Sequence, residues 1–130
     1  MYILDTNTLI YFFKGIGNVA SCLLDKPPNR IGIPTIVLYE LAVGITKSAA
    51  PEKRTRQLAA VTALVNTLPF GMDEARCAAA IRANLEKQGT PIGPYDVLIA
   101  GTALSNNGVL VTHNTKEFER IEGLQLEDWF

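Results

Sequence analysis

Short apolar runs alternate along the chain with longer stretches of helical spacing. Tyr2-Ile3-Leu4 is an apolar run that stops at Asp5. Over 7–14 the pattern becomes helical, and Gly15 and Gly17 end it. A short helix is expected over 18–25, closed by Pro27-Pro28, and Ile31-Gly32-Ile33 reads as a second strand. Thr35 is placed to cap a helix over 36–46, where Ile36, Val37, Leu41 and Val43 form the apolar stripe. Pro51 opens a long helix over 51–66, and Leu68-Pro69-Phe70 is a weak strand. Asp73 is placed to cap a helix over 74–88 that stops at Gly89. Pro94 opens another helix over 94–106, with Gly108 as its stop. Val109-Leu110-Val111 is the clearest strand, and Leu124-Gln125-Leu126 reads as an edge strand.

Strands of three residues alternating with helices of ten or more indicate one α/β domain over 1–130, built on a mostly parallel sheet. No internal repeat, low-complexity tract or linker divides it. In such sheets ligands bind beyond the C-terminal strand ends, near the point where strand order reverses, so the residues just after Leu4 and Val111 matter most.

Composition narrows the class. The chain has 130 residues, 48% apolar and 19% charged, which suits a globular core. At that size folding removes roughly two-thirds of the unfolded chain's surface from water. Lys and Arg total 12 against 13 acids, a net charge of −1. This excludes a general basic coat but leaves room for a local basic rim. One histidine, and two cysteines far apart, exclude a zinc knuckle; Cys22 and Cys77 are expected as buried free thiols. The opening residues lack a basic n-region and a long apolar h-region, and no uncharged apolar run approaches the roughly 20 residues of a membrane span. The expectation is a soluble cytoplasmic protein with no membrane partner.

Most of the acids have ordinary settings, at helix starts, beside lysines or in polar stretches. Three do not. Asp5 follows Tyr-Ile-Leu directly; Glu40 lies among Ile36, Val37, Val43 and Gly44; Asp96 lies one turn before Ile99 and Ala100. A carboxylate on an apolar face is costly unless it is paired or bound to a metal. If the sheet brings the three together, they repel and raise one another's pKa unless a divalent cation neutralises them. Oxygen-only donors suit Mg²⁺ or Mn²⁺, which activate water and clamp a phosphoryl group. Three separately satisfied structural acids are the competing explanation.

Four motifs in order, Asp5-Thr6-Asn7-Thr8, Tyr39-Glu40-Leu41-Ala42-Val43-Gly44, Gly89-Thr90-Pro91-Ile92-Gly93-Pro94-Tyr95-Asp96 and Val111-Thr112-His113-Asn114-Thr115-Lys116-Glu117-Phe118, closely resemble the PIN-domain ribonuclease toxins of the VapC type. The resemblance spans residues 1–129. It implies a three-layer α/β/α fold around a short-stranded parallel sheet, and Mg²⁺-dependent endoribonuclease activity, with Mn²⁺ able to substitute. It also implies the toxin role in a type II toxin–antitoxin module, with structured RNA, tRNA foremost, as substrate. The partners implied are a second copy, a cognate VapB-type antitoxin, and operator DNA only through the antitoxin complex. By motif, Asp5, Glu40 and Asp96 match the three acidic positions, Asp5 and Asp96 as direct ligands and Glu40 as the third acid. Asn114 stands where many PIN domains carry a fourth acid, and Glu117 follows three residues later, so either is a candidate for that role. Thr6, Asn7 and Thr112 are placed to orient ligands or hold water.

Other residues carry two readings each. Lys47, Lys53, Arg54 and Arg56 suit RNA phosphates or solvated helix faces. Tyr11 and Phe12, beside Phe13, suit an aromatic face for the antitoxin or ordinary packing. His113 suits a solvated loop better than a site. Gly15-Ile16-Gly17 lacks the third glycine and the preceding strand of a dinucleotide fingerprint, and reads as a helix stop. Two rival functions remain. An aspartyl phosphatase needs an acid two residues after Asp5, where Asn7 stands, and a non-catalytic PIN-like scaffold for RNA or protein should have lost one of the three acids.

Overall fold

Tyr2–Leu4 (β1), Ile31–Pro34 (β2), Asn66–Leu68 (β3), Val109–Val111 (β4) and Gln125–Glu127 (β5) form one sheet in the order β3-β2-β1-β4-β5. Every neighbouring pair is parallel in this computed structural model, which describes residues 1–130. The helices are Thr6–Lys14 (α1), Val19–Leu24 (α2), Thr35–Thr46 (α3), Pro51–Thr62 (α4), Met72–Lys87 (α5), Pro94–Ser105 (α6) and Thr115–Phe118 (α7). The chain steps from β1 to β3 in one direction across the sheet and from β3 to β5 in the other. Right-handed crossovers then put α1–α4 on one face and α5–α7 on the other, the three layers expected.

The central strands are apolar because both faces are covered. Ile3, Leu4, Ile33, Leu110 and Val111 are fully buried, joined by Leu9, Val37 and Ile99 from the helices on either side. Trp129, beyond β5, is also buried and lies against the Tyr2 ring. Both cysteines are free, as expected, but only half-buried.

Several boundaries differ from the sequence pattern, each for a local reason. The helix opened by Pro51 ends at Thr62, before 66, because Asn66 already belongs to β3: it pairs with Gly32, and its Nδ2 donates to the carbonyls of Asn29 and Ile31. The strand expected at 68–70 accordingly lies at Asn66–Leu68; Pro69 has no N–H to give a ladder. Thr35 is the first residue of α3 and does not cap it, since β2 runs through Pro34 straight into the helix. Asp73 does not cap α5 either. Gly71 does, its amide donating to Glu74 Oε1 at 2.8 Å, with Asp73 inside the first turn. β5 is shifted by one residue from 124–126 and pairs Leu126 with Leu110. Gly15 does end α1: at φ 66° it adopts the left-handed conformation, and the Ile16 amide closes back on the Tyr11 carbonyl.

Candidate active site

The strand order reverses between β1 and β4, which places a crevice at their C-terminal ends. Asp5 leaves β1 at this point. It is 5% exposed and caps α1, its Oδ1 accepting the Thr8 amide at 2.9 Å. The Asp5 amide donates to the Val111 carbonyl at 3.2 Å and the Thr8 hydroxyl to the same carbonyl at 3.0 Å, so the ends of β1 and β4 are fastened together. Burial pushes the Asp5 carboxyl above its usual range, while hydrogen bonds from Thr112 and Thr8 hold it down and Asp128 pushes with burial.

Glu40 arrives from the middle of α3. Thr6 donates its hydroxyl to Glu40 Oε1 at 2.8 Å, which ties the first turn of α1 to α3 and leaves Oε2 unengaged by that bond. Asp96 lies in the first turn of α6, just after Pro94 sets the helix start, where a carboxylate suits the helix dipole. Its carboxyl is nevertheless raised to about 6, first by burial, then by the charges of Glu117, Asp5 and Glu40 in that order. The charges of the other two sequence-predicted acids, Asp5 and Glu40, thus act on Asp96. Glu117 joins them. The Asn114 side-chain amide donates to Glu117 Oε2, and Asn114's own amide donates to the Thr112 hydroxyl at 3.0 Å. The two candidates for the fourth position are thus hydrogen-bonded to each other: Asn114 donates to a carboxylate whose charge acts on Asp96.

No three of these side chains converge on a point at ligating distance; the acids line the crevice and do not close on it. The donor set is all oxygen, partly desolvated and mutually repelling, which fits a hard divalent cation and no thiol- or imidazole-seeking metal.

The remaining predicted residues divide. Asn7 is exposed in the first turn of α1, and Thr112 is buried at the end of β4. Arg54 lines a cavity of about 210 Å³ with Ile10, Phe13, Lys14 and Glu40, so one basic residue of the predicted set shares a cavity with one of the acids, while its guanidinium donates to Gln57 at 2.9 Å. Lys47, Lys53 and Arg56 are exposed away from that lining. Tyr11 and Phe12 are half-buried: Tyr11 meets the rings of His113 and Phe130 edge-on, and Phe12 lies tilted on Phe13. A fully open aromatic face is absent there. His113 is exposed but engaged, 3.0 Å from Asp128 and stacked on Phe130. Around the site, Thr8, Tyr39 and Tyr95 stand in the motifs without a role assigned from sequence, and Lys14 stands outside them. Thr8 was findable as the residue three positions after a capping Asp; the others became visible only through the packing of α1, α3 and α6.

The PIN domain family model matches residues 2–124. The tRNA(fMet)-specific endonuclease VapC of Salmonella typhimurium is 39% identical over 98% of this chain and 97% of its own length. Ribonuclease VapC1 of Haemophilus influenzae strain R2866 is 41% identical over 99% and 98%. Among solved structures, DNA-bound VapBC from Salmonella typhimurium superposes with a TM-score of 0.92 at 38% identity, covering 99% of this chain and 98% of that one. VapBC2 from Rickettsia felis, bound to a DNA fragment from its promoter, gives 0.91 at 35% identity, with the same coverage.

Proposed function

The chain belongs to the PIN-domain family, among the VapC ribonucleases of toxin–antitoxin systems, and from that premise we propose that it is a divalent-metal-dependent endoribonuclease cutting structured RNA. The observation that carries the chemistry is the crevice at the β1/β4 reversal, where burial first, and then the charges of Glu117, Asp5 and Glu40, raise Asp96 to about 6. Asp5 and Asp96 would hold the ion, Mg²⁺ or Mn²⁺. A bound ion there supplies Lewis-acid polarisation of the phosphodiester and lowers the pKa of an attacking water. Glu40, whose Oε1 accepts from Thr6, would use its other carboxylate oxygen to orient the attacking water and take its proton. Glu117, held by Asn114, supplies the fourth acidic position, which Asn114 alone cannot fill for lack of charge. Water attack leaves a 5′-phosphate and a 3′-hydroxyl.

tRNA is the proposed substrate class, as in the Salmonella relative's name. A VapB-type antitoxin is the proposed partner, as in the VapBC structures, with DNA reached through it. A homodimer and cytoplasmic action complete the reading; no helix is long and apolar enough to cross a membrane. Retention of all three acids disfavours a non-catalytic scaffold. The deciding experiment incubates purified chain with bulk tRNA, with Mg²⁺ and with chelator, and maps the ends. Metal-dependent cuts bearing 5′-phosphates support the reading; the same cuts in chelator, or phosphatase activity alone, defeat it.

A further inference from the structure

Two tyrosines stand beside the site without a part in its chemistry. Tyr39 immediately precedes Glu40 on α3, and Tyr95 immediately precedes Asp96 on α6, so each is the chain neighbour of an acid in the crevice. Tyr39 is 52% exposed and Tyr95 43%. Their rings meet across the gap between the two helices, with centroids 5.6 Å apart, planes inclined at 52° and hydroxyl oxygens 3.5 Å apart. One exposed aromatic ring is ordinary; two from different helices, touching each other at the rim of a catalytic crevice, form a patch with a defined shape.

The crevice itself is acidic, so contacts that do not depend on charge add to what a bound cation and the nearby Lys14 and Arg54 contribute to holding RNA. Exposed aromatic faces supply one, since every base has a π-face to stack. We propose that Tyr39 and Tyr95 form a stacking platform for an unpaired nucleobase flanking the phosphodiester bond that is presented to Asp5, Glu40 and Asp96. The proposal rests on the RNA-cleaving function above. Two rings inclined at 52° offer a face to one flat base and an edge to its rim, and the paired hydroxyls offer a polar border to its heteroatoms. A base in a duplex keeps its stack and has no face to give, so the platform selects loops, bulges and ends.

The test begins with the parent chain on bulk tRNA in Mg²⁺, to map a cut, and continues on a synthetic hairpin RNA spanning it. The hairpin is made intact and with an abasic nucleotide on either side of the cut. Tyr39→Ala and Tyr95→Ala should raise KM about 5- to 150-fold on intact RNA with a smaller change in kcat, the effect of losing one base stack. Tyr39→Phe, Tyr95→Phe and Tyr95→Trp should stay near the parent. One abasic hairpin should cost the parent as much as the alanine variants lose, and cost those variants no more, the non-additivity of a shared contact. Equal losses on intact and abasic RNA overturn the proposal, as do phenylalanine variants as poor as alanine. Alanine variants that change oligomeric state and lose activity on both RNAs alike would assign the pair to a contact between copies. Unchanged KM in a chain that does cut RNA rejects the platform alone; a parent that cuts no RNA rejects the functional reading and the platform with it.

Discussion

Each acid in the crevice is held by a different device, and each therefore fails differently. Asp5 is a helix cap as well as a candidate ligand, so Asp5→Asn, which keeps the capping oxygen, is the cleaner variant than Asp5→Ala. Cleavage should be abolished in both, with Asp5→Ala alone losing about 0.5–2 kcal/mol of capping energy, less whatever relief of burial returns. Asp96 makes the sign of the pH dependence explicit. Its folded value of about 6 lies above its ordinary 3.8, so the folded chain binds that proton more tightly than the unfolded one. The contribution of Asp96 is therefore most favourable at low pH and is lost as pH rises through this interval. In chelator, Asp96→Asn should melt higher than the parent at about pH 7.5, and the gap should narrow as pH falls through about 6 and close only below the ordinary value of 3.8. Mg²⁺ should raise the parent's Tm at the higher pH and not the variant's, since the variant lacks the charge being neutralised. A parent that melts above Asp96→Asn in chelator at the higher pH would contradict the strained-carboxylate account. Asn114→Ala should slow cleavage about 10- to 100-fold, as loss of a group that orients a site residue does, and Glu117→Gln should cost at least as much. A silent Glu117→Gln would remove it from the fourth position.

At the scale of elements, the site depends on how α6 is seated. α6 carries Asp96 and Tyr95 at its start, and Gly101, five residues beyond Asp96, presses against α5: a Cβ there would stand 2.7 Å from Ala78 Cβ and 2.8 Å from the Ala78 backbone nitrogen. The helix backbone of α5 cannot yield by that much. Gly101→Ala should cost about 1–3 kcal/mol by urea midpoint and lower kcat, because α6 must shift to make room. A variant with parental stability and activity would show that the two helices slide freely. The sequence made most elements legible, including α1, expected over 7–14 and found over Thr6–Lys14, whose stop follows from Gly15. It misled at 62–70, where helical spacing continued past Thr62 while the pairing of Asn66 with Gly32 claimed the chain for the sheet. Ladder pairing is a long-range contact, and no local pattern announces it.

For the whole molecule, assembly and metal are the open quantities that measurement decides. Leu24, Leu64 and Met72 are each at least 68% exposed on a chain with a net charge of −1. A symmetric dimer is the expected way to cover apolar surface of this kind. Light scattering should report twice the chain's mass at tens of micromolar, about the range in which stable dimers hold; a monomer there would refute it. Cleavage should vanish in chelator and return with Mn²⁺ as well as Mg²⁺, with the fold intact throughout by near-ultraviolet circular dichroism.

The sequence by itself determined the α/β class and singled out three acids, because a carboxylate at the end of an apolar strand or on an apolar helical face announces an unusual environment. Motif order was enough to name the family that the chain resembles. Tertiary structure alone decided which of those acids confront one another, that Asn114 and Glu117 act as a pair, and that Tyr39 meets Tyr95. Those facts depend on the strand order β3-β2-β1-β4-β5, which brings residues 5, 40, 96 and 117 to one edge of the sheet. Periodicity records which face of an element is buried, but proximity between elements is set by the crossovers that connect them.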